Sequence, residues 1–179
     1  MFRTIIVATD GSDHADKAVA MAADLAAKYN AKMTLLHVLL RRNAEARDFR
    51  RLIDVNKLPA DLRDEFERFE QIQEKKETMA SGTAGAFVSI PFSQEVIVGV
   101  GNAIVDRAEG IARKHGAGKI DRIVTEGDAA DVILQCAKDQ DADLIVMGTR
   151  GLSDLRGLFV GSVSHKVSHL AECSCIMVR

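Results

Sequence analysis

Thr4-Ile5-Ile6-Val7-Ala8-Thr9-Asp10-Gly11-Ser12-Asp13 is the stretch that decides the fold. Thr4 to Thr9 is a nearly unbroken apolar run rich in β-branched residues, the pattern of a strand buried on both faces. Asp10-Gly11-Ser12-Asp13 then stops the strand with turn and N-cap residues. Downstream, Ala15, Ala18, Ala22 and Leu25 recur at helical spacing up to Tyr29. Asn30-Ala31 closes that helix, and Met33 to Leu40 reads as a second strand. This is one βαβ unit, whose crossover is right-handed in nearly every known case.

The same alternation returns near the other end of the chain. Ile97, Val100, Ile104, Ala108 and Ile111 mark one face of a helix despite the propensity penalty at Gly99, Gly101 and Gly110. Ile120 to Thr125 reads as a strand, Asp128 as the cap of a helix through Lys138, and Leu144 to Met147 as the fourth strand. Gly148 to Gly161 forms a loop, Ser162 to Leu170 a short helix and Cys175 to Val178 a last strand. Strands alternating with helices predict an α/β fold, a doubly wound parallel sheet with helices on both faces.

Residues 41–92 interrupt this order. Arg41 to Asp54 is dense in mixed charge, Pro59 suits the first turn of a helix, and Leu62, Phe66, Phe69 and Gln73 follow at helical spacing. Ser81-Gly82-Thr83-Ala84-Gly85 is a break, and Phe87 to Phe92 an isolated apolar patch. The stretch reads as a charged, helical insertion in a single domain spanning 1–179, a mobile or partner-facing arm.

Composition narrows the function. The chain has 179 residues, 47% hydrophobic and 28% charged, and a net charge of −2. It is long enough for a sizeable core and lacks the basic excess of a nucleic-acid binder. The first residues are too short an apolar run for a signal peptide, and no run approaches a membrane span. Three cysteines, Cys136, Cys173 and Cys175, cannot all pair within one chain, which fits a reducing compartment. A soluble, cytoplasmic protein is expected.

In an open parallel sheet, ligands sit beyond the carboxyl ends of the strands, where the strand order reverses. Two unusual turns occupy such ends: Asp10-Gly11-Ser12 after the first strand, and Gly148-Thr149-Arg150-Gly151 after the fourth. The second leads to Gly161-Ser162-Val163-Ser164 at a helix start, where unpaired N–H groups and the helix dipole favour an anion. Ser162 and Ser164 add hydroxyls. Each half alone is an ordinary turn or cap; together, with Asp10 across the crevice, they indicate a phosphate-bearing ligand.

Gly148-x2-Gly151-x9-Gly161-Ser162 resembles the nucleotide signature of the universal stress protein family, in its ATP-binding subclass. Ile5 to Ser12, Asp143 to Gly148 and Cys175 to Val178 are similar to that family's strands and turns, so the resemblance covers residues 1–40 and about 93–179. It implies five parallel strands in the order 3-2-1-4-5, the adenine nucleotide alpha hydrolase-like fold, and ATP, AMP or ADP as ligand, with Mg2+. It also implies roles. Thr9 and Asp10 would flank the ribose or adenine, Val38 the adenine, and Met147, Gly148, Arg150 and Gly151 the ribose and phosphates. Gly161, Ser162, Val163 and Ser164 would bind the phosphates, with Gly161 tolerating no side chain. The family commonly forms a homodimer through its last strand. Ser174 stands where it often carries proline.

Other chemistry is weaker. There is no Gly-x4-Gly-Lys-Ser/Thr loop, and Gly99-Val100-Gly101 lacks the preceding strand of a dinucleotide fingerprint. His165 and His169 lie one turn apart, but zinc needs three or four tetrahedral ligands, and Cys173 falls past the helix end. No metal-ligand set and no catalytic residue is assigned. Three classes remain: a nucleotide-dependent regulatory stress-response protein, a slow ATPase without a convincing general base, and a dimeric interaction module without ligand.

Overall fold

A computed structural model describes residues 1–39, 60, 63–64, 67–68, 71, 94–151 and 161–179. The elements are β1 (Thr4–Ala8), α1 (Asp13–Tyr29), β2 (Lys32–Leu39), α2 (Gln94–Lys114), β3 (Lys119–Glu126), α3 (Ala129–Asp139), β4 (Leu144–Gly148), α4 (Ser162–Leu170) and β5 (Ser174–Val178). The expected arm at 41–92 lies largely outside the described residues, as does Leu40. Within that stretch Ala60, Arg63, Asp64, Glu67, Arg68 and Gln71 are helical.

The strands form one parallel sheet in the order β3-β2-β1-β4-β5. Val7 sits in register between Leu35 and Val146, so the rows of apolar side chains run straight across the sheet. Alternation divides those rows between the two faces. Ile5, Val7, Met33, Leu35, Leu144 and Val146 point into a layer with α1 and α2. Ile6, Leu36, Ile145 and Met147 point into the opposite layer with α3 and α4. Both sides of β1 and β4 are therefore dry, which explains why these strands read as continuous apolar runs.

Local chemistry sets the helix ends. The Ser12 hydroxyl accepts from Ala15 N–H (3.2 Å) to start α1, and Asp128 accepts from Asp131 N–H (3.2 Å) to start α3. Asn30 ends α1 in the left-handed region at φ 52°, which asparagine enters more readily than most residues. The buried face of α1 is mostly alanine, so the helix lies close to the sheet. Gly101 does the same for α2: a Cβ there would stand 2.5 Å from Leu39 Cδ2, 3.0 Å from Val124 Cγ1 and 3.1 Å from His37 Cδ2.

The two sheet edges differ. β3 carries Lys119, Asp121, Arg122 and Glu126, whereas β5 is Ser174-Cys175-Ile176-Met177-Val178 with no charge. Among the described residues no helix is long and apolar enough to cross a membrane.

Candidate functional site

Pairing of β1 with β4 sets the two unusual turns beside each other at the carboxyl end of the sheet, where the strand order reverses. The β1 turn is tied down by two local bonds and one to β2. Asp10 Oδ1 accepts from Ser12 N–H (3.0 Å), Thr9 Oγ1 from Gly11 N–H (3.3 Å), and Thr9 N–H donates to Leu36 O (2.9 Å). Gly11 has φ +81°, a conformation that favours glycine.

Across the crevice, Thr149 N–H donates to Val178 O (2.7 Å), and Gly161 N–H returns to Thr149 O (2.8 Å). That second bond joins the end of β4 to the start of α4. The first bond of the α4 ladder runs from His165 N–H to Gly161 O (2.9 Å), leaving the N–H groups of Ser162, Val163 and Ser164 outside it. These three amides and the positive end of the helix form the anion-attracting pole.

Most predicted site residues are brought together here. Asp10 and Gly151 touch, because a Cβ on Gly151 would overlap the Asp10 carboxylate. Gly148 is equally constrained: its Cβ would lie 2.9 Å from both Arg150 O and His14 Cβ. Thr9 and Met147 are buried at the strand ends, Val38 and Arg150 are half-buried, and Ser162 is exposed. Val38, Ala8 and Met147 share the α3/α4 face, which makes the apolar wall beside the turn.

The structure specifies the local setting of two of these residues. The Ser164 hydroxyl is buried and donates inward, to Thr149 O (2.8 Å) or Gly161 O (3.0 Å), so it braces the loop while its backbone N–H faces out of the ladder. Gly161 has φ −72°, and its Cβ would meet only ordinary contacts beginning at 3.5 Å. In the free protein nothing forbids a small side chain there.

The structure also adds residues that sequence reading missed. His37, buried on β2, donates its Nδ1–H to Thr9 O (2.8 Å). Burial holds this imidazole below the ordinary 6.5, against the opposing pull of the Thr9 carbonyl and the Asp10 charge, so it is the neutral donor. Arg107 on α2 reaches the Gly11 carbonyl (3.2 Å) and pairs with Asp16. Helical periodicity placed neither partner, because both contacts join elements far apart in sequence. His14 has its Cβ against Gly148, and its buried Nδ1 has no hydrogen-bond partner among the described residues.

Comparison with known proteins decides the family. The model of the universal stress protein family matches residues 1–179. The chain belongs to the universal stress protein family. It is 32% identical over 183 residues to a universal stress protein of Thermus aquaticus, with 100% of both chains covered. To the universal stress protein YxiE of Bacillus subtilis it is 31% identical over 182 residues, again with 100% of both covered. Among solved structures, a universal stress protein in complex with cAMP matches with a TM-score of 0.61 and 25% identity, covering 99% of this chain and 97% of that one. A universal stress protein from Archaeoglobus fulgidus shares the fold with a TM-score of 0.62 and 20% identity, covering 100% of each chain. These neighbours carry the adenine nucleotide alpha hydrolase-like fold.

In this universal stress protein the remaining chemistry is quiet. Among the described residues no group of three or more His, Cys, Asp or Glu side chains is gathered for a metal. His165 and His169 stack on the exposed side of α4, with centroids 5.7 Å apart. Burial pushes the thiols of Cys136, Cys173 and Cys175 above their ordinary 9.0, which disfavours the reactive thiolate.

Proposed function

We propose that this chain binds an adenine nucleotide, with ATP as the leading ligand and AMP or ADP as its alternatives, and acts as a nucleotide-dependent regulator of the stress response in the cytoplasm. The observation that carries this reading is the contact of Asp10 with Gly151 at the strand-order reversal, beside the open amides of α4. The neighbour that binds cAMP supports the same ligand class. In this reading Thr9 and Asp10 meet the sugar and base, and Ala8, Val38 and Met147 give the base an apolar wall. Gly148, Arg150 and Gly151 pass beside the ribose and phosphates, and Gly161 to Ser164 receive the phosphate charge. Mg2+ keeps several waters and is usually held through substrate phosphates and one or two protein oxygens, so in this reading the ion comes with the nucleotide.

A homodimer through β5 belongs to the same reading. Its edge lacks the charges that guard β3, and uncharged edges invite pairing with a second chain. Acid extraction of the purified protein, followed by nucleotide chromatography and titration with ATP, AMP and adenosine, tests the ligand. Retained or titratable adenine nucleotide is expected. A folded protein that binds none of the three would overturn the reading.

A further inference from the structure

The turn that holds Asp10 is gripped from behind by one stripe of α2. Gly101, Ile104 and Arg107 are spaced three apart, so they lie along one side of that helix. Gly101 leaves room for His37, whose Nδ1–H donates to the Thr9 carbonyl. Ile104 Cγ1 stands 3.3 Å from where a Cβ on Gly11 would be. Arg107 donates one guanidinium N–H to Gly11 O (3.2 Å) and pairs through another with Asp16 on α1. The carbonyls on both sides of Asp10 are thus held by side chains buried or half-buried between the sheet and α2.

We infer that Arg107 and His37 are positioning residues: they fix the Thr9–Gly11 turn from α2 and so place the Asp10 carboxylate against Gly151. Two carbonyl acceptors pinned on either side of one residue leave its φ and ψ little freedom. Releasing one of them lets the turn sample other conformations, of which only a fraction present Asp10 correctly, and apparent affinity falls by that fraction. The coupling is reciprocal, so a ligand that engages Asp10 also stabilises the α2 stripe. The binding half of this inference rests on the nucleotide reading; the conformational half does not.

The experiment has two arms on full-length protein. Amide exchange is measured without ligand for wild type, Arg107→Ala, Arg107→Met and Asp16→Asn, with the Val146 amide in β4 as internal control. ATP and adenosine are then titrated into each. Arg107→Ala is expected to speed exchange at Gly11 and Ser12 about tenfold while leaving Val146 unchanged, the loss of one charge-assisted hydrogen bond. ATP and adenosine should weaken by the same factor, since neither Gly11 nor Asp10 addresses the phosphates. Asp16→Asn keeps the Gly11 contact and should change both readouts less than twofold. If Arg107→Ala does not fold, Arg107→Met carries the test, because its apolar chain keeps the packing of the stem but offers no donor to Gly11 O. Unchanged exchange at Gly11 and Ser12 in a folded Arg107 variant overturns the inference, whatever the titrations give. Wild type that binds no nucleotide overturns the proposed function and leaves the exchange arm to decide this one.

Discussion

Asp10 Oδ2 occupies the space that a Cβ on Gly151 would need, so the carboxylate after β1 and the backbone after β4 define each other's position. Gly151→Ala must push Asp10 aside. With one or two charge-assisted hydrogen bonds at stake, of about 1.5–3 kcal/mol each, adenosine and ATP should both bind about tenfold or more weakly. Calorimetric titration checks this, and unchanged adenosine affinity would remove Asp10 from the site.

Two glycines of α2 predict opposite signs. A side chain at Gly101 meets Leu39, Val124 and His37, so Gly101→Val should destabilise the protein by about 1–3 kcal/mol through overpacking. At about 2–4 °C per kcal/mol for a chain of this size, Tm falls measurably. Gly110 has nothing within 4 Å of its Cβ position and is exposed, so Gly110→Ala should raise stability by up to about 1 kcal/mol. Thermal denaturation of the pair decides; a stabilising Gly101→Val would mean that α2 does not pack this tightly.

The same glycines show how far the sequence could be read. The alternation of strands and helices and the two crevice turns were legible because they depend on local signals, apolar runs and turn residues, whereas the strand order came only through the family resemblance carried by the Gly148-x2-Gly151-x9-Gly161-Ser162 spacing. Gly101 was visible only as a propensity penalty, since the side chains that require it come from β2 and β3. His37 and Arg107 escaped for a related reason. Their hydrogen bonds cross 28 and 96 positions of chain, and no periodicity encodes a partner at that distance. At Gly161 the backbone is ordinary at φ −72°, so any need for glycine there comes from the approach of a ligand and not from the fold.

Burial of neutral His37 makes stability depend on pH. Its folded-state pKa lies below the ordinary 6.5, so between those two values the unfolded chain takes up a proton that the native protein refuses. Stability from this residue is fully present above pH 6.5 and is lost as pH falls through the folded value. Denaturant midpoints across this range should therefore fall less steeply for His37→Gln, which keeps a donor but does not titrate. Equal slopes for variant and wild type would place the acid sensitivity elsewhere.

The uncharged β5 edge predicts a dimer that depends on that strand. Light scattering at micromolar concentration should report twice the chain mass. Met177→Pro removes a ladder donor from β5 and should return the monomer. A wild-type monomer would sink the dimer itself, and a dimer that survives Met177→Pro would move the interface away from this edge.

The phosphate end of the site is tested most cleanly at Gly161. Its φ of −72° suits any residue, and a Cβ there meets only ordinary contacts with Ser164 Oγ and Thr149 O at 3.5 Å. Gly161→Ala should therefore fold with wild-type stability, so any loss of binding comes from the ligand side. A methyl group beside the open amides of Ser162, Val163 and Ser164 would keep phosphate from approaching them, and losing one such bond weakens ATP about tenfold or more. Adenosine carries no phosphate and should bind as before. Asp10→Ala makes the contrast, because it acts on sugar or base and should weaken both ligands by a similar factor. The two variants thus separate the ends of the site by ligand ranking rather than by total affinity. Titration with ATP, AMP and adenosine reads that ranking directly, and AMP should fall between the other two for Gly161→Ala. Full ATP affinity in a folded Gly161→Ala protein would show that phosphate does not approach α4 at this residue, and the nucleotide would then have to lie elsewhere along the crevice.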